Sequence, residues 1–119
     1  MRLFKRRLNV NKFTNRWQDV QQLCATRKTW PQAIIEADDL VNDALKKRRY
    51  KGKTEGERLV AAQRDLSAND KVWLGHKLRN KLEQEQVDVR KLRKDDMLTA
   101  LSGFRQALRD LGALKNDKE

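Results

Sequence analysis

Residues 29–49 read TWPQAIIEADDLVNDALKKRR, and this stretch decides the fold class. Trp30, Ala33, Ile34, Ala37, Leu40, Val41, Ala44 and Leu45 recur at the three- and four-residue steps of an α-helix, which lines them along one face. Thr29 stands where an N-cap belongs. Pro31 falls in the first turn, where a missing N–H removes no intrahelical bond. At the far end Lys46, Lys47, Arg48 and Arg49 complement the carbonyl end of the helix dipole, and Tyr50 and Gly52 follow.

Working outward, Phe13, Trp17, Val20 and Cys24 step by four, three and four, so a first helix presents them as a core face with Cys24 as a small core residue. Downstream, Thr54-Glu55-Gly56-Glu57 has the form of a capping box and opens a short third helix carrying Leu59, Ala62 and Leu66. Ser67-Ala68-Asn69-Asp70 offers the next start, through a reciprocal cap between Ser67 and Asp70 or with Asn69 as cap. The fourth helix is expected from about Asp70 to Gln84. A polar connection runs from Glu85 to Arg93. Met97, Leu101, Phe104, Leu108 and Leu111 then form a seam that stops at Gly112. The expected fold is all-α, a four- to five-helix up-and-down bundle with the third helix as a bridging element.

The chain has 119 residues, 28 Lys and Arg against 17 Asp and Glu, and a formal net charge of +11. That length holds one domain and excludes a multidomain enzyme. One Pro, five Gly and seven aromatics disfavour a turn-rich β-sandwich. Residues 1–28 carry eight bases and one acid, residues 29–66 eight and seven, and residues 67–119 twelve and nine. Most of the excess is therefore N-terminal. The expected organisation is a basic arm at 1–9, one helical domain at 10–114 and a polar tail at 115–119. A single Cys24 and a single His76 exclude an internal disulfide and a zinc site built from Cys and His ligands. No cofactor or metal is expected. Met1 to Leu8 begins basic but lacks the apolar stretch of an export signal, and no run is long and apolar enough for a membrane span, so a cytoplasmic location is expected.

The fourth helix has the one arrangement that composition does not explain. Lys77, Lys81 and Gln84 mark its solvent side, whereas His76, Arg79 and Glu83 fall opposite, flanking Val72, with Asn80 beside His76. Charges shielded from water have to be paired or serve a partner. The stripe His76, Arg79, Asn80, Glu83 is thus either an internal salt-bridge network pinning the bundle or a dimer interface, or a binding or catalytic site.

Ala33-Ile34-Ile35-Glu36-Ala37-Asp38 with Leu40, Tyr50-Lys51-Gly52-Lys53-Thr54, Gly56-Glu57-Arg58-Leu59, and Trp73 with His76-Lys77-Leu78-Arg79-Asn80 resemble a group of small helical proteins of candidate-phylum bacteria, Saccharibacteria-like, over residues 30–112. In that group the fourth helix reads like His-Lys-Val-Arg-Asn-Arg-Ile-Ala-His, and its Arg-Asn followed by His is similar to the motif of HEPN domains. The resemblance implies a four- to five-helix bundle, often dimeric, in a family with many metal-independent ribonucleases. Arg79 would bind the scissile phosphate and Asn80 would be the polar residue after it. The histidine expected to assist proton transfer is replaced by Gln84, which cannot exchange a proton near neutral pH. His76, one turn before Arg79, is the remaining candidate for that role.

Gly52-Lys53-Thr54 imitates the end of a phosphate-binding loop, but the earlier Gly would fall at Lys47, so it reads as a turn and cap. Glu36, Asp38, Asp39 and Asp43 read as a solvated face rather than a metal site, with Lys46 and Lys47 near enough to neutralise Asp39 and Asp43. Two basic clusters remain, Arg2, Lys5, Arg6 and Arg7, then Lys46 to Arg49 continuing to Lys51 and Lys53. Arg6, Arg7, Arg48, Arg49 and Arg79 are the expected phosphate contacts. The sequence points to a non-catalytic binding or scaffold module, a homodimer, with RNA, DNA or an acidic protein as partner. The alternatives are a HEPN-type ribonuclease using Arg79 and His76, and a purely structural interaction domain.

Overall fold

The computed structural model describes residues 7–84 and 88–115. Every regular element among them is helical: α1 Val10–Leu23, α2 Trp30–Lys47, α3 Glu55–Ala61, α4 Asn69–Glu83 and α5 Lys94–Asp110, with 3-10 turns at Arg27–Thr29 and Val89–Lys91. Arg6 and most of the N-terminal arm, Glu85, and residues 116–119 of the tail lie outside the described residues.

α2 packs against each of the other four helices, and the most extensive interface joins α4 to α5. Its apolar stripe is the reason, since all eight residues from Trp30 to Leu45 named for it are buried. α1 adds Phe13, Trp17 and Val20 to the core, and α5 adds Met97, Leu101, Phe104 and Leu108. Cys24 sits at the core's edge, half-buried, with its Sγ donating to Val20 O, and burial pushes its thiol pKa up. Leu92 lies in the polar connection before α5, yet it is a core residue at 3% exposure. Arg27 accounts for part of that. Its guanidinium stacks over Trp30 and donates to Leu92 O at 2.6 Å, tying the α1–α2 corner to the chain entering α5.

α4 and α5 approach closely because each offers a glycine to the other. A Cβ on Gly75 would stand 2.5 Å from the Phe104 ring, and one on Gly103 would stand 2.6 Å from Lys71 Cβ and 2.7 Å from Lys71 C.

The helix ends depart from expectation in three places. Thr29 precedes α2, but its hydroxyl donates to Leu23 O and Thr26 O instead of capping. Thr54 does cap α3, accepting from Glu57 N, while Glu57 returns its bond one residue earlier than a capping box requires, to Lys53 N. Neither start read for α4 is used. Asn69 Nδ2 donates back to Gln63 O and Leu66 O, Ser67 donates from its backbone N and its Oγ to Asp110, and Ala68 occupies the cap position without a side-chain bond. These bonds, those of Ser67 reaching 43 residues along the chain, replace the local cap, and Leu66 is buried beyond the last turn of α3.

α2 and α5 end alike. Tyr50 N donates to Leu45 O and Arg49 N to Lys46 O, just as Ala113 N donates to Leu108 O and Gly112 N to Arg109 O. Both are Schellman closures with a left-handed residue after the C-cap, Arg49 at φ 64° in one and Gly112 at φ 80° in the other. Among the described residues no helix is long and apolar enough to cross a membrane.

Candidate functional site

Asp38 stands four residues after Ile34 and three before Val41, so the helical period carries it into the apolar face of α2, where it is fully buried. That corrects its reading as part of a solvated acidic face. Glu55, the first residue of α3, is pressed against the same point and is 9% exposed. α4 brings His76 and Arg79 to meet them, with side chains 13% and 16% exposed. Helices α2, α3 and α4 therefore converge on one polar cluster.

All three guanidinium nitrogens of Arg79 are engaged. Nε donates to Glu83 Oε1 at 2.6 Å, Nη1 to Asp38 Oδ2 at 3.0 Å, and Nη2 lies 3.1 Å from Asp39 Oδ1. Glu55 Oε1 is a further 3.9 Å neighbour of Nη1. His76 Nδ1 lies 2.9 Å from Asp38 Oδ2 and 3.5 Å from Glu55 Oε2. An ionised carboxylate only accepts, so Nδ1 carries the proton and donates to Asp38. The Trp73 ring meets the imidazole edge-on, with centroids 5.9 Å apart.

The electrostatics separate the two buried acids. Burial acts to raise the pKa of Asp38, but bonding to His76, Glu55 and Arg79 outweighs it and holds the carboxyl below the usual range. For Glu55 the pull of the Arg79 charge is too weak to compensate. Burial, reinforced by the Asp38 carboxyl opposite, pushes it up to about 10. Burial also raises Asp39, against the pull of Arg79. For Arg79 burial works toward a lower pKa, and the bonds to Glu83 and Asp38 reverse this and raise it. Two buried oxygens, Asp38 Oδ1 and Glu55 Oε2, have no hydrogen-bond partner.

Of the stripe read on the fourth helix, His76, Arg79 and Glu83 meet, whereas Asn80 is exposed and stays outside the cluster. Gln84, at the position of the missing histidine, is the exposed C-cap of α4. Arg48, half-buried, donates to Leu111 O at 2.6 Å and joins the ends of α2 and α5, a structural contact that the sequence did not suggest. Arg7 and Arg49 are exposed. Asp39 and Asp43 do not act as a pair, because Asp39 turns to Arg79 and Asp43 binds Arg16 at 2.7 Å. Asp38 and Glu55 are the residues that sequence reasoning missed. The signal for Asp38 was its register with Ile34, Ala37 and Val41, whereas Glu55 had only its place in a capping box.

The chain matches no protein-family model, no curated protein and no solved structure.

Proposed function

We propose that the chain is a HEPN-like four- to five-helix up-and-down bundle acting as a non-catalytic binding module for nucleic acid, held by its phosphates at the basic segment after α2. The observation that carries this reading is the sorting of charge. Asp38 and Glu55 are buried, and Asp39, Glu83 and Asp43 are drawn onto arginines. Lys46, Arg49, Lys51 and Lys53 stand exposed, with no ion-pair partner among the described residues. Arg49 adds support, since it occupies a left-handed position that glycine fills at the end of α5. Each of the three Arg79 nitrogens is already bound to an acid and the side chain is only 16% exposed, which favours a non-catalytic module. A homodimer belongs to the same reading.

Fluorescence anisotropy with a single-stranded RNA oligonucleotide tests it. Three phosphate contacts weaken single-strand binding about 20-fold between 50 and 200 mM salt. Replacing Arg49, Lys51 and Lys53 together by Glu is expected to abolish that salt dependence along with binding. No binding at 50 mM salt overturns the reading in favour of a structural domain, and binding of an acidic protein instead would reassign the partner.

A second reading, the ribonuclease, is favoured by one observation: Asp38 fixes the His76 ring as a carboxylate fixes a general base. Metal-free RNA cleavage that disappears in Arg79→Ala would establish it, and intact RNA after long incubation with concentrated protein removes it.

A further inference from the structure

The convergence of α2, α3 and α4 holds a set of ligand atoms that binding at the basic segment leaves unused. Asp38, Glu55 and His76 each offer an oxygen or nitrogen within 4.8 Å of the others. We propose that these three residues bind one divalent first-row transition-metal ion of the zinc class, a site independent of the nucleic-acid reading.

The spacing supports it first. Two ligand atoms about 2.1 Å from one metal, at angles between octahedral and tetrahedral, are about 3.0 to 3.4 Å apart. His76 Nδ1 lies 2.9 Å from Asp38 Oδ2 and 3.5 Å from Glu55 Oε2, which brackets that range. The orphaned atoms are the second, separate observation. Asp38 is completely buried, and its Oδ1, like Glu55 Oε2, meets no donor. A buried carboxylate oxygen without a donor is costly, and a cation between the two carboxyls serves both at once.

Charge and chemistry narrow the occupant. Asp38, Asp39 and Glu83 surround one guanidinium, and a dication that displaces the Glu55 proton balances the local excess of negative charge. Arg79 sits beside Asp38 and Glu55 and holds both in place from outside the ligand set. Two carboxylates and an imidazole suit a borderline ion better than calcium or magnesium, which prefer oxygen alone. Three protein ligands leave a fourth position for water, as at open zinc sites. On ligation the Nδ1 proton passes to solvent and Nε2 takes one up, so the ring binds as its other neutral tautomer, while Glu55 releases its proton to solvent. The partial exposure of His76 and Arg79 leaves a way in.

His76 is the sole histidine of the chain, so its imidazole nitrogens report on the site without ambiguity. The test adds Zn2+ to the full, chelator-treated chain carrying Cys24→Ser, which removes the only thiol. The expected result is a shift of the His76 nitrogen resonances complete at one equivalent of Zn2+, with a melting temperature that rises with Zn2+ concentration. Glu55→Gln, which preserves size and a neutral side chain, is expected to weaken Zn2+ affinity at least tenfold. Resonances unmoved by a tenfold excess of Zn2+, or an affinity unchanged in Glu55→Gln, would overturn the proposal and leave a proton shared by Asp38 and Glu55 as the account of the two orphaned oxygens. If Glu55→Gln does not fold, the Cys24→Ser titration alone decides.

Discussion

Glu55 is buried where its charged form finds little support, and this makes stability depend on pH. Its folded pKa of about 10 lies above its usual 4.5, so the folded state holds the proton more tightly than the unfolded chain. That contribution is fully present below pH 4.5 and is lost as pH rises toward 10. Asp38 has the opposite sign, because its lowered pKa contributes stability that is lost as pH falls below its usual 3.8. In chelator-treated protein the urea midpoint is therefore expected to decline between pH 5 and pH 9. Glu55→Gln is expected to match the wild type near pH 5 and to exceed it at pH 9. Parallel curves for the two proteins would contradict the assignment. The register of Asp38 with Ile34, Ala37 and Val41 signalled its burial, but nothing in the sequence named its partners. Asp38 and Arg79 are 41 residues apart, and only their meeting turns an acid on a helix face into the centre of a network.

At the level of the elements, helix ends and helix contacts impose different demands on the same residue types. The closure of α2 places Arg49 in the left-handed region, where a side chain costs about 1–2 kcal/mol. Arg49→Gly is expected to stabilise the fold by about 0.5–1 kcal/mol, after the greater freedom of glycine in the unfolded chain is counted. RNA binding should weaken in the same variant, so chemical denaturation and anisotropy read opposite signs. Glycines within helices divide in a similar way. An added Cβ at Gly56 meets Trp73 at an ordinary 3.7 Å, so Gly56→Ala is expected to stabilise by up to about 1 kcal/mol from helix propensity. At Gly103 the neighbours include Lys71 C at 2.7 Å and Val72 N at 2.9 Å, which are backbone atoms and do not swing away. Gly103→Ala is expected to lose about 1–2 kcal/mol net, overpacking exceeding the gain in propensity. Thermal melts of the two variants should move in opposite directions. The apolar spacing that defined the helices says nothing of this, because the distance between α4 and α5 is a property of the pair.

Across the molecule, charge is distributed by the fold and not by the chain alone. Cations along the sequence look alike, yet Arg27 and Arg48 donate to the backbone carbonyls of Leu92 and Leu111, Arg16 holds Asp43 and Arg79 holds three acids, while Lys46, Arg49, Lys51 and Lys53 remain exposed. By itself the sequence determined that the chain is helical, and it marked which residues line α1, α2 and α5. Periodicity is a local property, and an apolar stripe must be buried whatever covers it. Tertiary structure alone decided which polar groups share that interior. Asp38 and Glu55 are ordinary acids until α2, α3 and α4 close over them, and the same closure sets their pKa values, the engagement of Arg79 and the spacing of His76. Ionic interactions and ligand geometry act over a few ångströms in space, between residues that the chain keeps far apart.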